Sequence, residues 1–134
     1  MKSILYTYKF RIYPNSTQID KLSKSFGCVR YVYNYFLNKE IENYKLNHNH
    51  LGYYSNAKEL TNLKKVLPWL KDCNSQSLQH SLKHLENAYT KYYREHKANP
   101  DIGLPRFKSK KNHYDSLTIP QFCTIDDKYI YFPK

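Results

Sequence analysis

Between Phe26 and Tyr44, apolar and aromatic residues recur at Phe26, Val29, Tyr33, Phe36, Leu37, Ile41 and Tyr44. Gaps of three and four residues are a helical period. Arg30, Asn34, Asn38 and Lys45 recur at the same period on another face. The stretch therefore predicts one long helix with a buried aromatic stripe and a polar, partly basic stripe. The rest of the chain must either pack against the first stripe or extend the second, and this constrains the fold more than any other feature.

The 134 residues suffice for one ordinary domain. No apolar run approaches the roughly 18–20 residues that span a bilayer. The opening Met-Lys-Ser-Ile-Leu-Tyr alternates and is broken by charge, unlike a signal or transit peptide. Cys28, Cys73 and Cys123 are odd in number and far apart, which fits neither a disulfide framework nor a zinc ribbon. A reduced, cytoplasmic chain is expected. Lys and Arg number 22 against 11 Asp and Glu, a net charge of +11, and there are 15 tyrosines. Cations neutralise phosphates and release counterions, and aromatic rings stack on bases. The composition thus points to nucleic acid. A membrane surface fits less well, because the basic residues do not gather on one amphipathic helix.

Ser3 to Tyr13 alternates with period two: Ile4, Tyr6, Tyr8, Phe10 and Ile12 on one face, Lys9 and Arg11 on the other. That pattern predicts a strand, ended by Pro14. Asn15 with Gln18 reads as a capping box opening a short helix through Ile19, Leu22 and Phe26. Gly27 is expected to break it before the long helix, giving a helix-turn-helix-like pair. His48-Asn49-His50 falls in a polar loop and is expected to be solvated. Ser55 is the expected cap of a helix to about Leu67, with Trp69 and Leu70 plugging the core behind it. Asn74 caps a last helix, Ser75 to about His96, with Leu78, Leu82, Leu85, Tyr89 and Tyr92 buried. Its opposite stripe of Gln76, His80, Lys83, Asn87, Lys91 and Arg94 contains no acid. Arg106, Lys108, Lys110 and Lys111 place four positive charges in six residues, in a stretch that Gly103 and Pro105 should keep extended. Short strands are expected at Leu117–Ile119 and Tyr129–Phe132, with Asp126-Asp127-Lys128 a hairpin turn between Thr124-Ile125 and the last of them. A strand so close to Lys134 suggests a sheet that continues beyond it.

Catalytic chemistry is not legible. His80 and His84 have a spacing that can hold zinc, but the glutamate of HExxH and a third ligand are missing. There is no phosphate-cradling glycine loop, no nucleophile elbow, and no pair of acids among apolar strands for two-metal chemistry. No catalytic residue, no metal ligand and no cofactor are assigned.

Tyr8-Lys9-Phe10-Arg11-Ile12-Tyr13-Pro14, Phe26-Gly27, Arg30-Tyr31-Val32-Tyr33-Asn34, Trp69-Leu70, Ser77-Leu78-Gln79 and Pro105-Arg106-Phe107-Lys108 follow one another in an order and spacing that resemble TnpB (OrfB). These are the RNA-guided DNA nucleases of insertion sequences, related to type V CRISPR effectors. The resemblance covers essentially the whole chain. It implies an α+β fold: a helical recognition bundle inserted after the first strand of a wedge-type β-barrel, here incomplete. Residues 1–14 would be the first strand, 15–97 the helical domain, and 98–134 the basic loop and returning strands.

The resemblance also implies partners, namely guide RNA and a target DNA duplex with a short flanking motif. Tyr53 and Gln79 match positions near that motif. Gln121 lies in a segment that also approaches it, although Leu117-Thr118-Ile119-Pro120 departs from the family's wording. Glutamine can pair with adenine, and tyrosine can meet a backbone or a thymine methyl. Lys9, Arg11, Lys83, Arg106, Lys108, Lys110 and Lys111 complete the expected nucleic-acid-binding set. The family's RuvC domain, with its acidic metal ligands, lies downstream of Lys134, so no nuclease activity is expected of these residues alone. The alternatives are a stand-alone helix-turn-helix regulator reading DNA through Thr17 to Tyr44, and a small enzyme. A small-molecule substrate and a membrane are not expected.

Overall fold

The computed structural model of the chain describes residues 3–112 and 115–133. The expectations above that extend to residues 1, 2, 113, 114 and 134 lie outside them there.

Helix α1 spans Ser16–Asn47, 32 residues and about 48 Å at 1.5 Å per residue. It opens on the expected capping box. Asn15 Oδ1 accepts from the Gln18 amide and Gln18 Oε1 accepts from the Asn15 amide, both at 2.9 Å. The expected break at Gly27 does not occur, and the two helices are one. A glycine in a helix interior costs about 1 kcal/mol relative to alanine. Cys28, Val29, Val32, Tyr33, Phe36 and Leu37 are all buried just beyond it, and full burial of a Val, Leu or Phe side chain is worth about 1.5–3 kcal/mol. Tertiary packing therefore outweighs the local penalty. The helix ends at His48, which adopts the left-handed conformation (φ 54°) while its amide bonds Tyr44 O at 2.9 Å.

Helix α2 spans Tyr53–Val66. Its N-cap is Gly52 rather than Ser55, with φ 87°, a conformation glycine adopts without a Cβ clash. A 3-10 turn, Pro68–Asp72, follows. It drives Leu70 completely into the core but leaves Trp69 43% exposed, so only one of the two expected plugs is a plug. Asn74 then caps α3, Ser75–Glu95, its Oδ1 accepting from the Gln76 and Ser77 amides. Leu78, Leu82, Leu85 and Tyr89 are buried with the α1 stripe, Leu60, Leu63 and Leu70 in one core. Ser77 and Ser81 are buried between them. Ser81 Oγ donates to Val29 O at 2.9 Å, fixing the α1–α3 contact at its crossing.

The β elements fall short of expectation. Residues 3–13 are exposed and take part in no ladder among the described residues. The alternation persists as ring spacing, with Tyr6 6.3 Å from Tyr8 and Tyr8 6.2 Å from Phe10. A strand needs a partner's N–H and C=O groups as well as a pattern, and none of the described residues lies opposite. Leu117–Ile119 also forms no ladder; Leu117 packs against the helical core instead. The described strands are β1, Thr124–Ile125, and β2, Ile130–Tyr131, paired antiparallel with Thr124 opposite Tyr131. The expected turn joins them: Asp126 Oδ1 accepts from the Lys128 and Tyr129 amides at 2.8 and 2.7 Å. The structure is thus a three-helix body with a small hairpin, and no barrel is present among the described residues.

Candidate nucleic-acid interface

Residues 102–109 have no regular structure, and their position is set by α1. Asn34 Nδ2–H donates to Lys108 O at 2.8 Å, and the Lys108 amide donates to Asn34 Oδ1 at 2.7 Å. A primary amide offers one donor and one acceptor side by side, so one side chain can pair a peptide unit as a neighbouring strand would. One helical turn earlier, Arg30 Nη1 bonds Asp115 Oδ1 at 2.9 Å. Arg30 and Asn34 are thus tethers holding the basic stretch on α1, while Asn38 stays exposed.

The tethered stretch is not extended throughout, because Lys110–Asn112 curl into a 3-10 turn. Its four cations are not equivalent. Lys108 places its ammonium 4.3 Å from the Tyr33 ring centroid, and burial lowers its pKa from the usual lysine value. All four residues are exposed overall, and Lys108 stands apart only in that its ammonium lies against a ring. Beside Lys108 runs the acid-free stripe of α3. His84 has a lowered pKa because of burial, then the nearby Lys108 and His80 charges. Its Nε2 lies 3.4 Å from Thr118 Oγ1. His80 and His84 meet edge to face, with ring centroids 6.2 Å apart. No group of three or more His, Cys, Asp or Glu that could hold a metal exists among the described residues.

Four of the expected contact residues, Tyr53, Gln79, Lys83 and Gln121, lie along this stripe. Lys83 Nζ lies 5.0 Å from the Tyr53 ring centroid, joining the start of α2 to the middle of α3. Gln79, one turn before Lys83, is exposed. Gln121 Oε1 accepts from Gln76 Nε2 at 3.1 Å, which brings the segment after the basic stretch alongside the start of α3. Lys9 and Arg11 are exposed on the unpaired segment at 3–13, with Arg11 over the Tyr13 ring at 5.6 Å.

The sequence reading missed what holds Tyr53 in place. Glu40 is only 2% exposed. Its Oε1 accepts from the Gly52 amide and Asn56 Nδ2, and its Oε2 from the Leu51 amide, each at 3.1 Å. A carboxylate at the N-terminal end of α2 suits the helix dipole and supplies the cap that Gly52 lacks. His50 is not solvated as expected. Its Nδ1 lies 2.9 Å from Glu40 Oε2 and its Nε2 2.8 Å from Glu86 Oε2. The ring also packs on Tyr89 at 4.8 Å. Burial, followed by the charge of Glu40, pushes the Tyr89 hydroxyl pKa up to about 12. The available signal was an acid at the helical spacing of the apolar stripe, four residues after Phe36.

Residues 1–49 match the OrfB/IS605 family described as a helix-turn-helix domain. In this chain the helical part of that match is the single helix α1. The chain is 34% identical to "Putative RNA-guided DNA endonuclease InsQ" of Escherichia coli K12, over 97% of this chain and 32% of that protein. It is 32% identical to a "Putative RNA-guided DNA endonuclease" of Streptomyces pristinaespiralis, over 83% of this chain and 27% of that protein. The chain thus spans about a third of the length of the curated relatives it matches. The helix-turn-helix match at its start and the two alignments across most of its length agree with the motifs read from the sequence, and the chain belongs to the TnpB/OrfB family of insertion-sequence proteins.

Proposed function

We propose that this chain is a nucleic-acid-binding module of a TnpB-like RNA-guided DNA endonuclease, gripping guide RNA and the target DNA duplex without catalysis or cofactor of its own. The observation that carries this is the basic stretch, clamped by Asn34 beside the acid-free face of α3 in a chain of net charge +11. Arg106, Lys110 and Lys111 meet phosphates there, while Tyr53, Gln79, Lys83 and Gln121 line the duplex that carries the flanking motif. Lys9, Arg11 and Lys108 add charge around them. In the longer protein, residues 3–13 and the β1–β2 hairpin contribute strands to the wedge-type barrel. The setting is the cytoplasm; no helix among the described residues is long and apolar enough to cross a membrane.

A regulator reading DNA through residues 17–44 fits less well. The stripe that such a helix would need for packing and the turn that would set it off are absorbed into one continuous α1.

Binding of structured RNA and of duplex DNA, followed across a salt series, tests the proposal. Each phosphate neutralised contributes a slope of about 0.9 in log K against log salt on duplex DNA. Replacing Arg106, Lys110 and Lys111 with Ala should lower the slope by roughly that amount per residue, whatever the sequence. Lys108→Ala should change it least, because its ammonium sits on Tyr33. Gln79→Ala should relax sequence preference at unchanged slope. Salt-insensitive binding, or no binding, refutes the proposal.

A further inference from the structure

On the far side of Arg30 and Asn34 from the basic stretch, α1 and the 3-10 turn enclose an open groove of about 700 Å³. This is within the size range of small-molecule sites. Its α1 wall carries Lys24, Arg30, Tyr31 and Tyr35, and its other wall carries Trp69 and Asp72. Tyr31 meets Trp69 edge to face at 5.0 Å and stacks against Tyr35 at 6.0 Å. All three rings are partly open to solvent, at 36%, 43% and 37% exposure. They lie off the stripe that packs the core. Arg30 uses Nη1 for Asp115, and its Nη2 lies over Gly27, 3.9 Å from where a Cβ would stand. Glycine therefore leaves that stretch of the groove wall low beneath the guanidinium.

We propose that this groove holds an unpaired base of a bound nucleic-acid strand. The inference rests on the nucleic-acid-binding reading above and adds a second, single-strand-selective site to it. A base face is flat and apolar, and stacking on tyrosine or tryptophan is open to any base. The sugar–phosphate belongs on the α1 wall, where Lys24 and the free edge of Arg30 supply positive charge. The base belongs toward Trp69, where Asp72 offers an acceptor to a base N–H and would repel a phosphate. A duplex cannot use the groove, because its bases are already stacked. The basic stretch on the other side of Arg30 and Asn34 gives the same strand a phosphate track leading to the groove.

Trp69 is the chain's one tryptophan, so its emission reports this groove. The experiment titrates the full chain at low salt with oligouridylate, oligothymidylate and a blunt duplex of equal length. Binding is followed both by anisotropy of end-labelled probe and by Trp69 emission. Both single strands, or the one that is the natural source, should quench Trp69 saturably with the same midpoint as the anisotropy, and the duplex should not. Tyr31→Ala should weaken single-strand binding by roughly tenfold, a typical loss for one stacked base. Tyr31→Phe should restore it, and duplex binding and helical circular dichroism should stay unchanged. Single-strand binding by anisotropy with flat Trp69 emission overturns the groove assignment and leaves the wider reading standing. Equal quenching by duplex overturns the restriction to unpaired bases. No anisotropy change with any probe overturns both.

Discussion

Replacing Glu40 tests how the two ends of the helical body are joined. Its buried carboxylate satisfies Asn56 Nδ2, which is also buried, and the half-buried Leu51 and Gly52 amides and His50 Nδ1. Glu40→Ala leaves those donors facing a void. A donor left without its acceptor costs about 1–3 kcal/mol, and four donors share this one carboxylate. Together these losses are a large share of the roughly 5–15 kcal/mol that holds a domain of this size together. Glu40→Gln is milder, for a reason visible in the structure. Asn56 Oδ1 is buried without a partner, so placing the new amide nitrogen at the Oε1 position lets a flipped Asn56 accept from it. The Gly52 amide then loses its acceptor and the flipped Asn56 turns its Nδ2 into the position that has no partner, at about 1–3 kcal/mol for each buried donor left unpaired. Urea unfolding followed by circular dichroism separates the cases: the midpoint should fall less for Gln than for Ala, at constant slope. An alanine variant within about 1 kcal/mol of the parent, no more than one ordinary hydrogen bond, would show that the carboxylate does not hold the start of α2 and that Tyr53 is placed by something else.

Gly27→Ala should stabilise the chain by about 0.5–1 kcal/mol, because α1 is continuous there and a Cβ meets only Arg30 Nη2 at 3.9 Å; a lowered melting temperature would argue for a turn at that position. Asn34→Ala removes both bonds to the Lys108 backbone, about 0.5–1.5 kcal/mol each. Hydrogen exchange at the Lys108 amide and tryptic cleavage around Arg106 should both accelerate, with the global unfolding midpoint changing much less. Cys123 is exposed, whereas burial raises Cys73 and, with the charges of Cys73 and Asp72, pushes Cys28 up to about 11. A thiol reagent at neutral pH should therefore modify Cys123 in the native chain and all three cysteines only in denaturant. The amides of Lys128 and Tyr129 and the Tyr131 hydroxyl hold the Asp126 pKa below its usual value. Its contribution to the hairpin is thus complete above the ordinary carboxylate range and is lost as pH falls through the depressed value. Amide shifts of Lys128 and Tyr129 should follow that acid transition, and Asp126→Asn should abolish it.

Most features set by neighbours within a turn were legible in the sequence, the cap of α2 at Gly52 rather than Ser55 being the exception. The Asn15–Gln18 box, the Asn74 cap, the stop before Pro68 and the Asp126 turn each need only side chains two or three residues from the backbone they bond. The Leu78, Leu82 and Leu85 stripe was legible for a similar reason, since helical period and burial face coincide. Gly27 was misread because a local penalty of about 1 kcal/mol was weighed without the burial on the residues that follow it. His50 and Glu40 were missed because their partners, Leu51 to Asn56 and Glu86, come together only when α1, α2 and α3 are packed.

The candidate interface divides along the same line. Composition and the run from Arg106 to Lys111 announce that cations are available, but not where their ammonium groups go. Asn34 turns the loose run into a fixed one, and the Lys108 ammonium comes to lie over the Tyr33 ring. Arg30 and Asn34, which a helical wheel places among outward polar residues, are occupied in holding the stretch. Two exposed aromatic rings of α1, Tyr31 and Tyr35, are then found on the opposite flank with Trp69. One helix thus buries a core stripe, anchors a basic stretch along a second line, and opens an aromatic groove along a third. Residue spacing alone separates the first of these from the rest; only packing separates the second from the third. The segment at 3–13 marks the limit of that logic. Its alternation defines two faces, but its amides and carbonyls have no partner among the described residues, and a pattern without a partner specifies a strand's faces without forming one.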